Sequence, residues 1–180
     1  MLQITIPSIE LWDETKQEFV VTKEYVLQLE HSLVSISKWE SKWNKVFISK
    51  EEKTYEETID YIKCMTITQN IPDEAYRYIT KSTVDKIDAY ISAPMTATWF
   101  AKDKPSSANR EKITSELIYY WMIALNIPFE CQKWHLNRLL TLIRVCNVKN
   151  TPPKKMSKRS LMQRNASLNA ARRKQFNTTG

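Results

Sequence analysis

The chain has 180 residues, of which 42% are hydrophobic and 26% are charged, and its formal net charge at pH 7 is +7. Its one glycine is the last residue, Gly180. Phosphate-binding loops, dinucleotide fingerprints and nucleophile elbows all need glycine where the backbone approaches a ligand closely or adopts positive φ, so this composition argues against P-loop, Rossmann and α/β-hydrolase enzymes.

The N-terminal part of the chain has the composition of β-strands. Residues 3–7, 9–12 and 18–22 are short runs rich in β-branched and aromatic side chains, which are typical of strands. The polar residues 13–17 separate the last two runs and predict a β-hairpin, and residues 25–30 predict another extended segment. Because a two-stranded hairpin alone is only marginally stable in water, we expect it to pack on the rest of the domain.

Capping signals predict helices in the middle of the chain. Ser32 precedes apolar residues at helical spacing and predicts a helix of about three turns. Thr54 and Glu57 match a capping box, which predicts the start of a second helix. Pro72 predicts the start of a short helix, and a further helical segment ends before Pro94.

The strongest helical pattern lies between residue 107 and residue 147. Ser107 or Asn109 can cap a helix that runs to about residue 126, and Pro128 suits the first position of a following helix. Both segments are apolar on more than half of their circumference, so we expect both to be buried. The pattern predicts a long αα-hairpin that forms the core.

These elements predict an α+β fold that is mostly α, with an N-terminal β-hairpin packed on a helical body. We assign residues 1–148 to one globular domain, with the hairpin region in 1–30 and the helical body in 32–148. Residues 149–180 form a basic linker and tail, helical or disordered, which holds nine basic residues and no acidic one. The rest of the chain is slightly acidic, so the positive charge belongs to the tail.

The residue types that carry catalysis are sparse. Cys131 and His135 are four residues apart on one predicted helix, but Cys146 lies too far along the axis to join them in a metal site. We therefore interpret the cysteines as core residues with reduced thiols. The other histidine, His31, lies between Glu30 and Ser32, but neighbouring side chains on a strand point to opposite faces, so we do not predict a catalytic pair there. The sequence predicts no catalytic residue, no metal ligand and no cofactor.

Two groups of residues are candidates for partner binding. Trp39 and Trp43 are one helical turn apart; the core is the favoured place for both, and an exposed pair would suit a partner helix. The tail would neutralise phosphates, but it lacks interleaved aromatic residues for base stacking, so binding to protein and binding to nucleic acid both stay open. The tail candidates are Lys154, Lys155, Lys158, Arg159, Arg164, Arg172, Arg173 and Lys174.

Several segments resemble a family of small proteins encoded among the tail genes of tailed bacteriophages of Gram-positive hosts. The similarity covers most of the chain and is a likeness of whole segments, without a catalytic signature. The similar segments are LEHSLVSISKWE (29–40), MTATWF (95–100), residues 113–148, KKMSK (154–158) and NASLNAARRK (165–174).

The resemblance implies a non-catalytic tail assembly chaperone. Such a protein would bind the tape measure protein, and other phage tail proteins, in the host cell cytoplasm before the tail tube polymerises, and would be absent from the mature virion. Two alternatives stay open: a nucleic-acid-binding accessory or packaging protein that acts through the tail, and a minor structural component of the virion tail or head–tail junction. We expect no membrane span, because no apolar run approaches about 18–20 residues. The oligomeric state stays open.

Overall fold

The computed structural model describes residues 1–14, 17–49, 51–100, 112–152 and 157–178. The fold is α+β and mostly helical, with small antiparallel sheets at the N-terminus, which confirms the predicted fold class. Contacts within the chain define two compact units, which we call the body (Met1–Asn147) and the tail (Val148–Gly180).

The N-terminal strands form two separate antiparallel ladders. The outer strands pair with each other, with Leu2 opposite Leu29, and bury Ile4, Ile6, Leu27 and Leu29 on one face. The inner strands form the hairpin that the sequence predicted. The strands are β1 (Leu2–Ile6), β2 (Glu10–Asp13), β3 (Glu18–Val21) and β4 (Tyr25–Leu29).

The helices of the body begin where side chains cap them. Ser32 accepts a hydrogen bond from the backbone N–H of Ser35 at 3.3 Å, and Thr54 accepts one from that of Glu57 at 3.2 Å. These caps confirm the two predicted helix starts. The helices of the body are α1 (Leu33–Trp43), α2 (Tyr55–Met65), α3 (Lys81–Ser92), α4 (Ser115–Ala124) and α5 (Leu136–Asn150), with short 3-10 helices at Asp73–Tyr78 and Phe129–Lys133.

The core of the body centres on α1. This helix packs against α2 and α4 and against the 3-10 helix Phe129–Lys133, while α3 packs against β1. The buried side chains of α1 and the inward face of the β1–β4 ladder form one cluster. Fully buried members of this cluster are Leu27, Leu29, Leu33, Ile36, Trp39, Ile62, Met65, Ile118, Met122 and Leu139.

The predicted αα-hairpin is wrong in its length and its packing. The first helix begins at Ser115, because Thr114 accepts the hydrogen bond of the Leu117 N–H at 3.3 Å; Ser107 and Asn109 lie outside the described residues. Pro128 opens a 3-10 helix, not the second long helix, and α5 begins only at Leu136. Among the described elements, α4 packs mainly against α1.

A buried carboxylate explains the alternative packing of α4. Glu40, on α1, is only 8% exposed. One of its oxygens accepts the backbone N–H of Phe47 at 2.8 Å, and the other accepts that of Ser115 at 2.8 Å. Because the first N–H groups of a helix have no partner within the helix, this contact fixes the start of α4 beside α1.

The described part of the tail includes the helix α6 (Lys158–Phe176), which is capped at both ends. Ser157 accepts the backbone N–H of Ser160 at 3.1 Å, and Asn177 adopts the left-handed conformation and donates its N–H to the carbonyl of Arg173. All the tail residues that the structure describes are exposed. Local capping and not a packed core therefore defines this helix.

Candidate functional site

The two histidines of the chain meet in the interior of the body. The rings of His31 and His135 lie edge to face with centroids 5.0 Å apart, and they are 2% and 6% exposed. Nδ1 of His31 lies 2.5 Å from Oη of Tyr61. Nδ1 of His135 accepts the backbone N–H of Asn137 at 3.3 Å, which leaves Nε2 to donate to the carbonyl of Tyr90 at 3.1 Å. Both rings have hydrogen-bond partners within the protein.

Burial keeps this cluster uncharged at neutral pH. It lowers the pKa of His31 to about 3, helped by the neighbouring His135, and it also lowers the pKa of His135. Burial raises the pKa of Tyr61 and of Tyr90, whose hydroxyl donates to Glu30 at 2.7 Å. This enclosed pair of neutral histidines joins chain segments, and the raised pKa values of the two tyrosines disfavour a reactive phenolate.

The cysteines are dispersed. Cys131 lies in a 3-10 helix and His135 lies before the first residue of α5, so the two do not share one helix face as the sequence spacing implied. Burial raises the pKa of the Cys131 thiol and of the Cys64 thiol, which disfavours the reactive thiolate. Within the described parts of the chain, no group of three or more His, Cys, Asp or Glu residues could hold a metal ion.

The two candidate tryptophans occupy different environments. Trp39 is 1% exposed and donates its indole N–H to the carbonyl of Glu57 at 2.9 Å. Trp43 is half-buried, stacks on Trp39 with centroids 6.2 Å apart, and donates its indole N–H to Asp60 at 2.9 Å. Lys42 forms an ion pair with the same carboxylate. Trp39 is therefore a core residue, and of the two tryptophans only Trp43 reaches the surface.

A small cleft lies between α2 and α3. Its volume is about 190 Å³, and its walls include Tyr61, Val84 and Asp88. Pockets that enclose a small-molecule ligand generally measure about 300–1,000 Å³. This cleft therefore suits one side chain of a partner better than a substrate or cofactor.

The β2–β3 hairpin presents apolar side chains to solvent. Trp12 and Phe19 are opposite each other in the ladder, and their rings lie edge to face with centroids 5.0 Å apart. Val21 shares their face, because it lies two residues beyond Phe19 and side chains on a strand alternate between faces. The exposed fractions are 52% for Trp12, 67% for Phe19 and 59% for Val21. We call these three residues the aromatic face.

Acidic residues surround the aromatic face. Glu10 lies opposite Val21 and so on the same side of the ladder, Glu14 lies at the turn, and both are exposed. Residues 10–24 contain five acidic and two basic residues. No other element in the described part of the chain makes extensive contact with this hairpin. The aromatic face is therefore an apolar surface with an acidic surround and no cover.

The tail candidates lie on α6, apart from Lys154 and Lys155, which lie outside the described residues. The other six are exposed along the helix: Lys158, Arg159, Arg164, Arg172, Arg173 and Lys174. The sequence of the tail contains no acidic residue. The six charges lie mainly near the two ends of α6, with Arg164 between them, and give the helix a positive potential.

Sequence reasoning identified the hairpin but missed the aromatic face. The run Phe19, Val20 and Val21 is apolar without alternation, so it predicts a strand but not which of its side chains face solvent. The signal that could have identified this surface was charge, because residues 10–24 contain five acidic residues. Only the pairing of β1 with β4, which excludes the hairpin from the core ladder, leaves the face in solvent.

Comparisons of the chain with protein-family models, curated proteins and solved structures return no match. None of the described helices combines the length and the apolar character that a membrane crossing requires.

Proposed function

We propose that this protein is a non-catalytic tail assembly chaperone of a tailed bacteriophage, and that it binds the tape measure protein before the tail tube polymerises. The observation that carries the proposal is the aromatic face, with Trp12 and Phe19 more than half exposed on an uncovered hairpin. The resemblance of segments such as 29–40 and 113–148 to phage tail-region proteins supports the choice of partner.

The physics of a two-stranded ladder supports a helical ligand. Such a ladder is marginally stable by itself and gains stability when a helix packs on its apolar face. A tape measure protein is a long helical molecule whose apolar stripe needs cover until tube subunits surround it, according to the resemblance. An amphipathic helix laid across Trp12 and Phe19 would remove apolar surface from water on both partners.

The charge around the aromatic face limits the choice of ligand. Glu10 and Glu14 would repel a second copy of the same hairpin, because like charges would meet face to face. A helix with basic residues beside its apolar stripe would instead gain attraction on encounter. We therefore assign the face to a basic amphipathic segment of the tape measure protein and not to self-association.

Co-expression tests the proposal. The tape measure protein encoded beside this chain is expressed alone, with the intact protein, and with a double variant, Trp12→Ala/Phe19→Ala. We expect the intact protein to keep the partner soluble and to co-purify with it. Because buried aromatic residues at interfaces commonly contribute 2 kcal/mol or more, we expect the double variant to bind at least about tenfold more weakly.

A matched control separates the aromatic face from general apolar exposure. Tyr120, on α4, is 63% exposed and lies away from the hairpin in sequence. The variant Tyr120→Ala should retain full chaperone activity, and circular dichroism should show that all variants are folded. If the double variant kept the tape measure protein as soluble as the intact protein does, the aromatic face would not be the binding surface. Failure of the intact protein to solubilise or retain the tape measure protein would contradict the function itself.

A further inference from the structure

The helix of the tail carries basic residues and no acidic one. Four of its six basic residues are arginines, and residues 149–180 contain no acidic residue. Arginine carries a planar group with several N–H donors that matches the two oxygens of a phosphate, whereas lysine offers a single charge on a flexible chain. The composition of α6 therefore favours phosphate as the group it contacts.

The charges surround the helix and do not mark one side. At about 100° per residue, no arc of α6 wider than roughly 80° lacks a basic residue. The larger apolar side chains are all substantially exposed: Leu161, Met162, Leu168 and Phe176. They fall within an arc of about 120°, but Lys158 and Arg172 lie in the same arc. A helix that lies in a membrane surface needs a distinct apolar face, and so does a helix that enters an apolar groove of a protein. α6 has no such face.

We propose that α6 binds duplex DNA, lying in the major groove and contacting phosphates on both walls without reading the base sequence. A helix with its side chains is about 10–12 Å across, and the major groove of B-form DNA is about 12 Å wide. The major groove has phosphates along both of its walls, so basic residues on different sides of the helix can each contact a phosphate. The deep and narrow major groove of an RNA duplex does not admit a helix in this way.

We expect α6 to become more helical when it binds DNA. Ser157 and Asn177 satisfy backbone groups at its two ends, so the sequence specifies where the helix starts and stops. Lys158 and Arg159 lie in the first turn, where positive charge opposes the helix dipole, so they weaken the helix in the absence of a polyanion. DNA phosphates neutralise these charges. We therefore expect the helical signal in circular dichroism to rise when the intact protein binds DNA.

Fluorescence anisotropy of the full chain with a labelled 20-base-pair DNA of arbitrary sequence tests the proposal, at 50 to 200 mM NaCl. The variant Arg159→Gln/Arg164→Gln/Arg172→Gln removes three charges from α6. Each phosphate contact contributes about 0.9 to the slope of log affinity against log salt. We expect this variant to reduce the magnitude of the slope by about 2.7 and to bind at least tenfold more weakly at 100 mM NaCl.

A charge-matched control removes the same number of charges from the body. Lys81, Lys86 and Lys133 are exposed there, and the variant Lys81→Gln/Lys86→Gln/Lys133→Gln should bind DNA within about twofold of the unmodified protein. An equal loss in both triple variants would show general charge attraction and would overturn the assignment to α6. Both variants leave the aromatic face intact, so this test is independent of the tape measure experiment.

Other polyanions complete the test. The same assay uses an RNA duplex of equal length, polyglutamate at equal charge, and vesicles of phosphatidylglycerol and phosphatidylcholine. Weaker binding to all three than to DNA supports binding of α6 in the major groove of duplex DNA. Equal or tighter binding to the RNA duplex would overturn the groove placement, equal binding to polyglutamate would assign α6 to an acidic protein, and tighter binding to the vesicles would assign it to a membrane surface.

Discussion

His31 and His135 show how polar side chains can be satisfied inside the body. Their rings touch, and both find hydrogen-bond partners inside the body, Tyr61 for the first and the Tyr90 carbonyl for the second. The N–H of Leu136 also donates to the carbonyl of His31 at 2.8 Å. These bonds join the end of β4 to the start of α5, so the histidines stabilise the fold.

The pKa of His31 predicts a loss of stability in mild acid. Its pKa is about 3 in the folded protein and about 6.5 when unfolded, so below pH 6.5 the unfolded chain binds a proton that the folded chain does not. The free energy of unfolding should therefore fall as the pH falls from 6.5 to 5, by up to about 1.4 kcal/mol per pH unit. Stability from this source is complete above pH 6.5.

Urea unfolding at pH 7.5, 6.5, 5.5 and 5.0 measures this slope. A His31→Asn variant lacks the titrating ring, and its free energy of unfolding should depend less steeply on pH across the same window. The window stays above the range in which carboxylates titrate. Identical slopes in the two proteins would show that His31 is not the source of the acid sensitivity.

Trp39 and Trp43 should differ in their contributions to stability. Trp39 is 1% exposed and bonded to Glu57, whereas Trp43 is half-buried. Trp39→Ala should lower the free energy of unfolding by about 3–5 kcal/mol, because it removes a large buried ring and leaves a cavity. Trp43→Ala should cost clearly less. Chemical denaturation of both variants checks the difference, and a larger loss for Trp43→Ala would contradict the assignment of Trp39 to the core.

At the scale of elements, α1 is the helix around which the other elements of the body pack. Its N-terminus follows directly from β4 through the Ser32 cap, and its buried side chains meet α2 and α4. Glu40 adds a polar connection to the start of α4. This carboxylate acts together with the buried apolar side chains of α4, such as Ile118 and Met122, in holding the helix beside α1.

Removing the Glu40 carboxylate should loosen α4. Glu40→Ala leaves the buried N–H groups of Phe47 and Ser115 without their acceptors, and each such loss costs about 1–3 kcal/mol. Hydrogen exchange should then accelerate in residues 115–124 more than in α2. Glu40→Gln keeps one acceptor oxygen and should lie between the unmodified protein and Glu40→Ala. Uniform acceleration across the body would argue that Glu40 acts on global stability alone.

At the scale of the whole molecule, the two units separate chemistry as well as structure. The body holds the apolar core and the acidic hairpin, and the tail holds a basic helix. The aromatic face and α6 are made of different residues, so the two proposals can be tested separately. The proposed chaperone activity uses the first surface, and the proposed DNA binding uses the second.

Local signals were sufficient where neighbouring residues make the decisive bonds. Ser32 and Thr54 predicted helix starts because a capping hydroxyl reaches an N–H only three residues away. The same reasoning failed for α4, where several hydroxyl residues competed as caps and the capping hydroxyl was that of Thr114. It also failed for Pro128, because a proline fits the start of a 3-10 helix as well as that of an α-helix.

The sequence by itself determined the mainly helical class, the capped starts of α1 and α2, the hairpin and the basic character of the tail, because composition and bonds between near neighbours govern these features. The tertiary structure alone decided that β1 pairs with β4, that His31 meets His135 and that Trp12 and Phe19 face solvent. These outcomes depend on packing between segments far apart in the chain, where many pairings satisfy the same apolar pattern and only the complete core selects one.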